Sequence, residues 1–403
     1  MNQWSQKHPW SILAAGAAIQ ILTGIPAAWG VFQQPVMEEY GLSEQGAGYA
    51  FGVLIAAFGV GCVIGGFLQD SRGPRCAALW GTALLCGGFL GASWLPGGSA
   101  WSFFLTFSIP AGLGTAFLYP AIQSCAQKWY AQRKGLATGV IGGAVGLSGA
   151  FLTFFVRSAV KGFWIVQGIR GAFWALAALT APVCLVGSLL LTDPPEPKTP
   201  QQKDGVDLSP WQMIRTRQYW LCAGAVCFST PAVLLFSPII LKLGMERGLE
   251  ESAALWSVVL GSVGSAAGRL LMPMLSDKIG RRATDLILFA GSLGLSAAFL
   301  FAQGWWVASC YAGLTFCYSA LAAVLPALST DLFGFPHAGV NYGFLALGQS
   351  VGSLVFPFAA NLWGLETGRH WIAMAGAAGG FAAIWALRPT QPDGQKMPKK
   401  NAH

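Results

Sequence analysis

Charge is what this chain has least of. Asp, Glu, Lys and Arg make up 10% of its 403 residues, against roughly 25% in an average soluble protein, which excludes an ordinary water-facing globular surface. Within the long apolar segments there is no lysine, and the only acid is Asp285, at the edge of one of them. The four histidines (8, 337, 370 and 403) are read as loop or tail residues, which leaves no histidine relay and no metal cluster in a span. No G-x-x-x-x-G-K-[ST] motif is present, which argues against ATP-driven work. The nine cysteines lack C-x-x-C spacing and read as small core residues, not disulfides or metal ligands. No basic patch interleaved with aromatics suggests nucleic acid, no nucleophile-and-base set suggests an enzyme, and nothing points to a cofactor.

What the chain does have is apolar length. It is 54% hydrophobic, with 53 Gly and 17 Trp, and its mean hydropathy is +0.54. Stretches of about 20 apolar residues, the length that crosses a bilayer, recur at 10–32, 47–69, 76–95, 101–124, 135–157, 171–191, 219–241, 253–275, 283–302, 305–328, 340–362 and 369–388. The pattern predicts an all-α membrane protein of twelve transmembrane helices, with close-packed small residues and interfacial tryptophans. The first segment is too long for a signal-peptide core and is read as a retained helix. A Pro-rich, charged stretch divides the spans six and six. The predicted units are therefore 1–191, a six-helix bundle; 192–217, a linker; 218–388, a second six-helix bundle; and 389–403, a tail. With both termini placed in the cytoplasm, seventeen of the 24 Lys and Arg fall inside and six outside, and Arg269 in the membrane completes the count. That asymmetry sets the expected orientation, with linker and tail cytoplasmic.

The two halves repeat. Asp70-Ser-Arg72-Gly73-Pro-Arg75 after the second segment matches Asp277-Lys-Ile-Gly280-Arg-Arg282 after the eighth, at an offset of 207. Pro120-Ala121 matches Pro326-Ala327, and Gly142, Val145 and Gly146 match Gly348, Val351 and Gly352, at an offset of 206. A duplicated six-helix unit is the mark of a transporter whose halves rock about a midplane site.

These paired loops resemble the signature of the major facilitator superfamily, and the resemblance runs the length of the chain. Trp129-Tyr-Ala-Gln-Arg133-Lys134-Gly135, Gly268-Arg269-Leu270 and Leu325-Pro326-Ala327 through Asp331-Leu-Phe-Gly334 further resemble its oxalate/formate antiporter and monocarboxylate transporter branch. The resemblance implies alternating access, a monomer embedded in the lipid bilayer, and a small carboxylate moving with a proton or a counter-anion. The short loops suit a bacterial inner membrane.

Arg269 is the centre of the site prediction. It lies eight residues before Asp277, roughly 12 Å inside the helix end and so near the middle of a hydrocarbon layer about 30 Å thick. Guanidinium does not deprotonate, and intramembrane charges face a bundle interior or an aqueous cavity. A structural ion pair would explain the residue, but the spans offer no acid beyond Asp285. The resemblance implies that an arginine at this position holds the substrate carboxylate, which its planar, bidentate donor suits.

Tyr119, before the bend expected at Pro120, is read as a cavity residue or a core tyrosine, and the resemblance implies the former. Gln123, one turn later, shares its face. Ser265, one turn before Arg269, stands where proton-coupled relatives carry an acid, a departure that leaves a relay there in doubt; small-residue packing is its other reading. Gln349 stands near a lysine of oxalate-transporting relatives, or makes an interhelical hydrogen bond. With one fixed cation, a monocarboxylate fits better than a dianion. Tyr311 and Tyr318 share a face, as core or cavity wall, with Tyr318 nearer midspan. Asp70, Arg72, Asp277 and Arg281 are too near the membrane edge to touch a midplane substrate, and are expected to gate the conformational change.

The function expected is proton-coupled symport of a lactate-like or pyruvate-like anion, with formate/oxalate-type exchange as the alternative. A sugar or drug carrier of the same fold would use more midspan polar groups than the Gln20 and Thr23 of the first segment. A non-transporting sensor would carry a longer soluble extension than the 15 residues after Arg388.

Overall fold

In a computed structural model the described residues are 9–96, 99–130, 134–160, 168–193, 207–334, 337–362 and 365–388. The middle of the predicted linker, the tail and Arg133 lie outside them. Eleven helices among the described residues are long and apolar enough to cross a membrane: α1 Trp10–Tyr40, α2 Glu44–Arg72, α3 Pro74–Trp94, α4 Ala100–Trp129, α5 Leu136–Val160, α6 Gly168–Leu190, α7 Arg217–Glu246, α8 Glu251–Ile279, α9 Arg281–Phe301, α10 Trp305–Phe333 and α11 Ala338–Leu362. A further helix, α12 Leu365–Trp385, packs against α7 and α9. Its first turns carry Arg369 and His370, which lower its apolarity.

The helices overrun the apolar segments because capping and charge, not hydropathy, end them. Ser43 caps α2 by accepting the Gly46 N–H, and Glu44 sits in that positive first turn. At the other end α2 turns directly into α3 through Gly73, at φ 84°. Gly280 makes the same turn between α8 and α9, at φ 90°. Such a backbone is strained for residues with a Cβ, so the repeated loop is a repeated geometry.

Two spans are broken inside. α1 interrupts at Gly24, ahead of Pro26, and α7 at Thr230, ahead of Pro231. These positions again differ by 206. Proline removes an N–H and clashes with the preceding turn, so both breaks follow from sequence.

One apolar core draws on residues 12–191 with Leu234 added, while two others draw on 208–387. The halves meet along two seams, α2 on α11 and α5 on α8. Small residues permit this approach. A Cβ at Gly146 would stand 2.3 Å from the Ala266 nitrogen, and one at Gly343 2.7 Å from the Cys62 carbonyl oxygen. The ends of the linker are tied down separately. Thr192 accepts from the Trp129 indole N–H at 2.6 Å, and Leu208 donates to the Phe333 carbonyl at 2.9 Å.

One expectation fails here. His370 lies in helix α12, 3% exposed, with Nε2 against Arg247 at 3.1 Å, not in a loop. The packing of α7 onto the start of α12 buries it.

Candidate functional site

Between the halves lies a cavity of about 130 Å³, comparable to the roughly 150 Å³ that accepts one benzene-sized molecule. Its lining comes from both bundles. α8 contributes Ser262, Ser265 and Arg269, spaced three and four residues apart and so on one face. α10 contributes Tyr311, Thr315, Tyr318 and Ser319; α4, Thr115 and Tyr119; α1, Gln20 and Thr23; α11, Tyr342 and Gln349. Ile55 and Phe58 of α2 supply apolar wall.

Five of the six predicted binding residues line this space: Arg269, Tyr119, Ser265, Tyr318 and Gln349. Gln123 does not. It stands behind Tyr119 and donates from Nε2 to the tyrosine oxygen at 3.3 Å. A helix carrying a proline at 120 presents a face that spacing alone does not place. Ser265 and Ser319 share a hydrogen bond at 2.7 Å. Tyr342 was missed by the sequence reading, although its seven-residue spacing from Gln349 puts the two on one face.

Arg269 is the one charged side chain in the lining among the described residues. It enters no ion pair there, its Nε has no hydrogen-bond partner, and its charge falls on the Tyr318 and Tyr342 hydroxyls.

The neighbouring amides are arranged to leave donors free. Gln349 Nε2 donates to the Tyr318 oxygen at 2.8 Å, as Gln123 does to Tyr119. Each tyrosine oxygen thus accepts, and its own O–H is left to donate elsewhere. Thr23 Oγ1 donates to Gln20 Oε1 at 2.7 Å, which holds that amide in place while the buried Nε2 finds no partner. The cavity is therefore a set of unspent donors around one cation, and it suits a ligand that only accepts, such as a carboxylate.

The four predicted gating residues stand at one end of the molecule, outside the cavity lining. Asp70 of α2 accepts the Val340 N–H in the first turn of α11, across the two halves. A carboxylate at a helix N-terminus meets the positive end of its dipole. Arg281 pairs with Asp277 and, at 3.5 Å, with Asp331, and also donates to Ser276. Arg72 is exposed and unpaired among the described residues. At the opposite end, Arg157 of α5 lies 3.6 Å from Glu251 of α8, and Lys242 of α7 lies 3.6 Å from Glu44 of α2. Ser237 also donates to the Pro26 carbonyl across the halves in the cavity lining itself, at 3.2 Å. Contacts between the halves thus close on the cavity from both ends.

A family model described as Major Facilitator Superfamily matches residues 12–308 and 246–402. The chain belongs to the major facilitator superfamily. This facilitator is similar to an uncharacterized MFS-type transporter, YhjX, of Escherichia coli K12, with 26% identity over 87% of each chain. It is 22% identical to the oxalate:formate antiporter of Oxalobacter formigenes over 83% of this chain and 79% of that one. It is 25% identical to monocarboxylate transporter 13 of Rattus norvegicus over 85% and 79%. The crystal structure of a D-xylose-proton symporter superposes with a TM-score of 0.68 at 17% identity, covering 95% of this chain and 98% of that one, which shows a shared fold. The protein is a multi-pass membrane transporter of this superfamily.

Proposed function

We propose that this transporter carries a small monocarboxylate, lactate-like or pyruvate-like, in symport with a proton by alternating access. The observation that carries the reading is Arg269: a permanent cation in a midspan cavity, without an ion pair among the described residues, ringed by free donors. A buried cation without a counter-charge costs about 2.5–3.5 kcal/mol or more, and a bound carboxylate removes that cost. Closure around the site is then easier when it is loaded. One cation matches one negative charge, so a dianion would leave a buried charge unmatched. The resemblance to carboxylate carriers supports the same class. In this reading the Asp70 and Asp277 end faces the cytoplasm, as the lysine and arginine asymmetry implies, in a bacterial inner membrane.

Anion exchange is the second reading, favoured by the oxalate:formate antiporter among the relatives. The test is uptake of radiolabelled L-lactate into proteoliposomes, with and without an inward proton gradient, for the native chain and Arg269→Ala. The expected result is gradient-stimulated uptake that the substitution abolishes. Uptake indifferent to the gradient but driven by internal carboxylate would establish exchange, and no lactate movement by the folded native protein would overturn the substrate class.

A further inference from the structure

Among the described residues, Asp285 is the one carboxylate less than a tenth exposed, at 4%. It sits in the second turn of α9, four residues after Arg281 and so about 6 Å into the helix. Its Oδ1 has no hydrogen-bond partner and it enters no ion pair there.

Asp285 faces a second cavity of about 40 Å³, above the roughly 10–15 Å³ that one water needs. Tyr318, Tyr342 and Gln349 line this cavity and the central one alike. The hydrogen-bonded Tyr318–Gln349 pair is therefore the partition between the buried acid and the Arg269 site. Cys222 of α7, Tyr318 of α10 and Tyr342 of α11 are the titratable groups that face the acid's cavity from neighbouring helices, and α12 offers only Ile384. Arg281, on its own helix, is committed to Asp277 and Asp331. The Arg281 charge also bears on Asp285 from one turn away, and Arg282 donates to the Ile384 and Trp385 carbonyls, so among the described residues an ionised Asp285 has no ion pair of its own.

Counting charge across the two cavities gives the coupling. With both sites empty, Arg269 is positive and Asp285 negative, and the pair sums to zero. With a monocarboxylate on Arg269 and a proton on Asp285, the sum is zero again. Anion alone leaves one buried negative charge, and proton alone leaves one positive charge. Net buried charge is costly in the span, so the fully loaded and fully empty forms cross and the half-loaded forms do not.

We propose that Asp285 is the proton-binding site of this transporter and sets its stoichiometry at one proton per monocarboxylate. The inference rests on the carboxylate reading of Arg269. The proton enters from the solution on the open side, joins an Asp285 oxygen, and leaves to the other side with the anion. No bond to the substrate forms or breaks.

Asp285→Asn tests it, because asparagine imitates the protonated acid permanently. Loaded Asp285→Asn protein remains neutral and crosses, whereas the empty form strands Arg269 and does not return. The expected result is that L-lactate exchange against internal L-lactate persists, while net uptake falls roughly tenfold or more and loses its response to a proton gradient. Asp285→Glu restores that response. Gradient-driven net uptake by Asp285→Asn at the native rate overturns the proposal, as does loss of its exchange. Infrared spectra of the purified protein without substrate provide a separate readout: a carboxylic-acid band that titrates in the native chain and is missing from Asp285→Asn. Absence of that difference also overturns the proposal. A native chain that shows the band but moves no lactate overturns the substrate assignment and leaves the proton site standing.

Discussion

Arg269 was legible because its chemistry is extreme: no other residue type keeps its charge so firmly in hydrocarbon, and the one acid in the spans, Asp285, stands at the edge of its segment. Tyr119 and Tyr318 were legible only as alternatives, since a tyrosine in a helix serves a core as well as a cavity. What separates the two readings is the hydrogen-bond direction, with Gln123 and Gln349 donating to the tyrosine oxygens and leaving the phenolic protons free. Removing a donor to a charged acceptor costs about 1.5–3 kcal/mol, so Tyr318→Phe is expected to weaken carboxylate binding roughly 10- to 150-fold without unfolding the protein. Titration calorimetry of L-lactate against the purified variant checks this. An unchanged affinity would return Tyr318 to the core.

At the scale of elements, the turns and breaks were the readable part. The Gly73 and Gly280 turns, the Gly24 and Thr230 interruptions and the prolines beside them are local chemistry, repeated with the gene-level duplication. Which face each helix turns inward was less readable, because rotation and tilt are set by the partner helix. Gln123 shows this, as it backs Tyr119 instead of lining the cavity, and so does Tyr342, whose place on the wall went unread. The α5 on α8 seam turns on Gly146, where an added Cβ would stand 2.3 Å from the Ala266 nitrogen. Gly146→Val is therefore expected to cost about 1–3 kcal/mol and to depress transport through the seam holding Arg269. Thermal unfolding in detergent, alongside uptake, measures both, and an unshifted midpoint would show that the seam yields.

At the scale of the molecule, the halves are held by few polar contacts at each end. Exposed ion pairs such as Lys242–Glu44 contribute about 0–1 kcal/mol, so these latches can open and reclose. Asp70 at the α11 N-terminus contributes about 0.3–2 kcal/mol through the helix dipole. Asp70→Asn is expected to open that end, shifting its closed-to-open ratio by up to roughly 30-fold. Spin labels on the exposed residues Ser71 and Lys278, one in each half, would report a longer distance population. A distribution identical to that of the native chain would remove Asp70 from the gate.

The sequence by itself determined the class of molecule, the repeat and the residue at the centre, because bilayer length, turn chemistry and the cost of an intramembrane charge act on local stretches of chain. Tertiary structure decided the donor arrangement, the burial of His370 and the alignment of Asp285 with a cavity adjoining the Arg269 site. Those depend on contacts between helices far apart in sequence, such as α12 with α7 and α9 or α2 with α11, and burial is a property of the partners as much as of the residue.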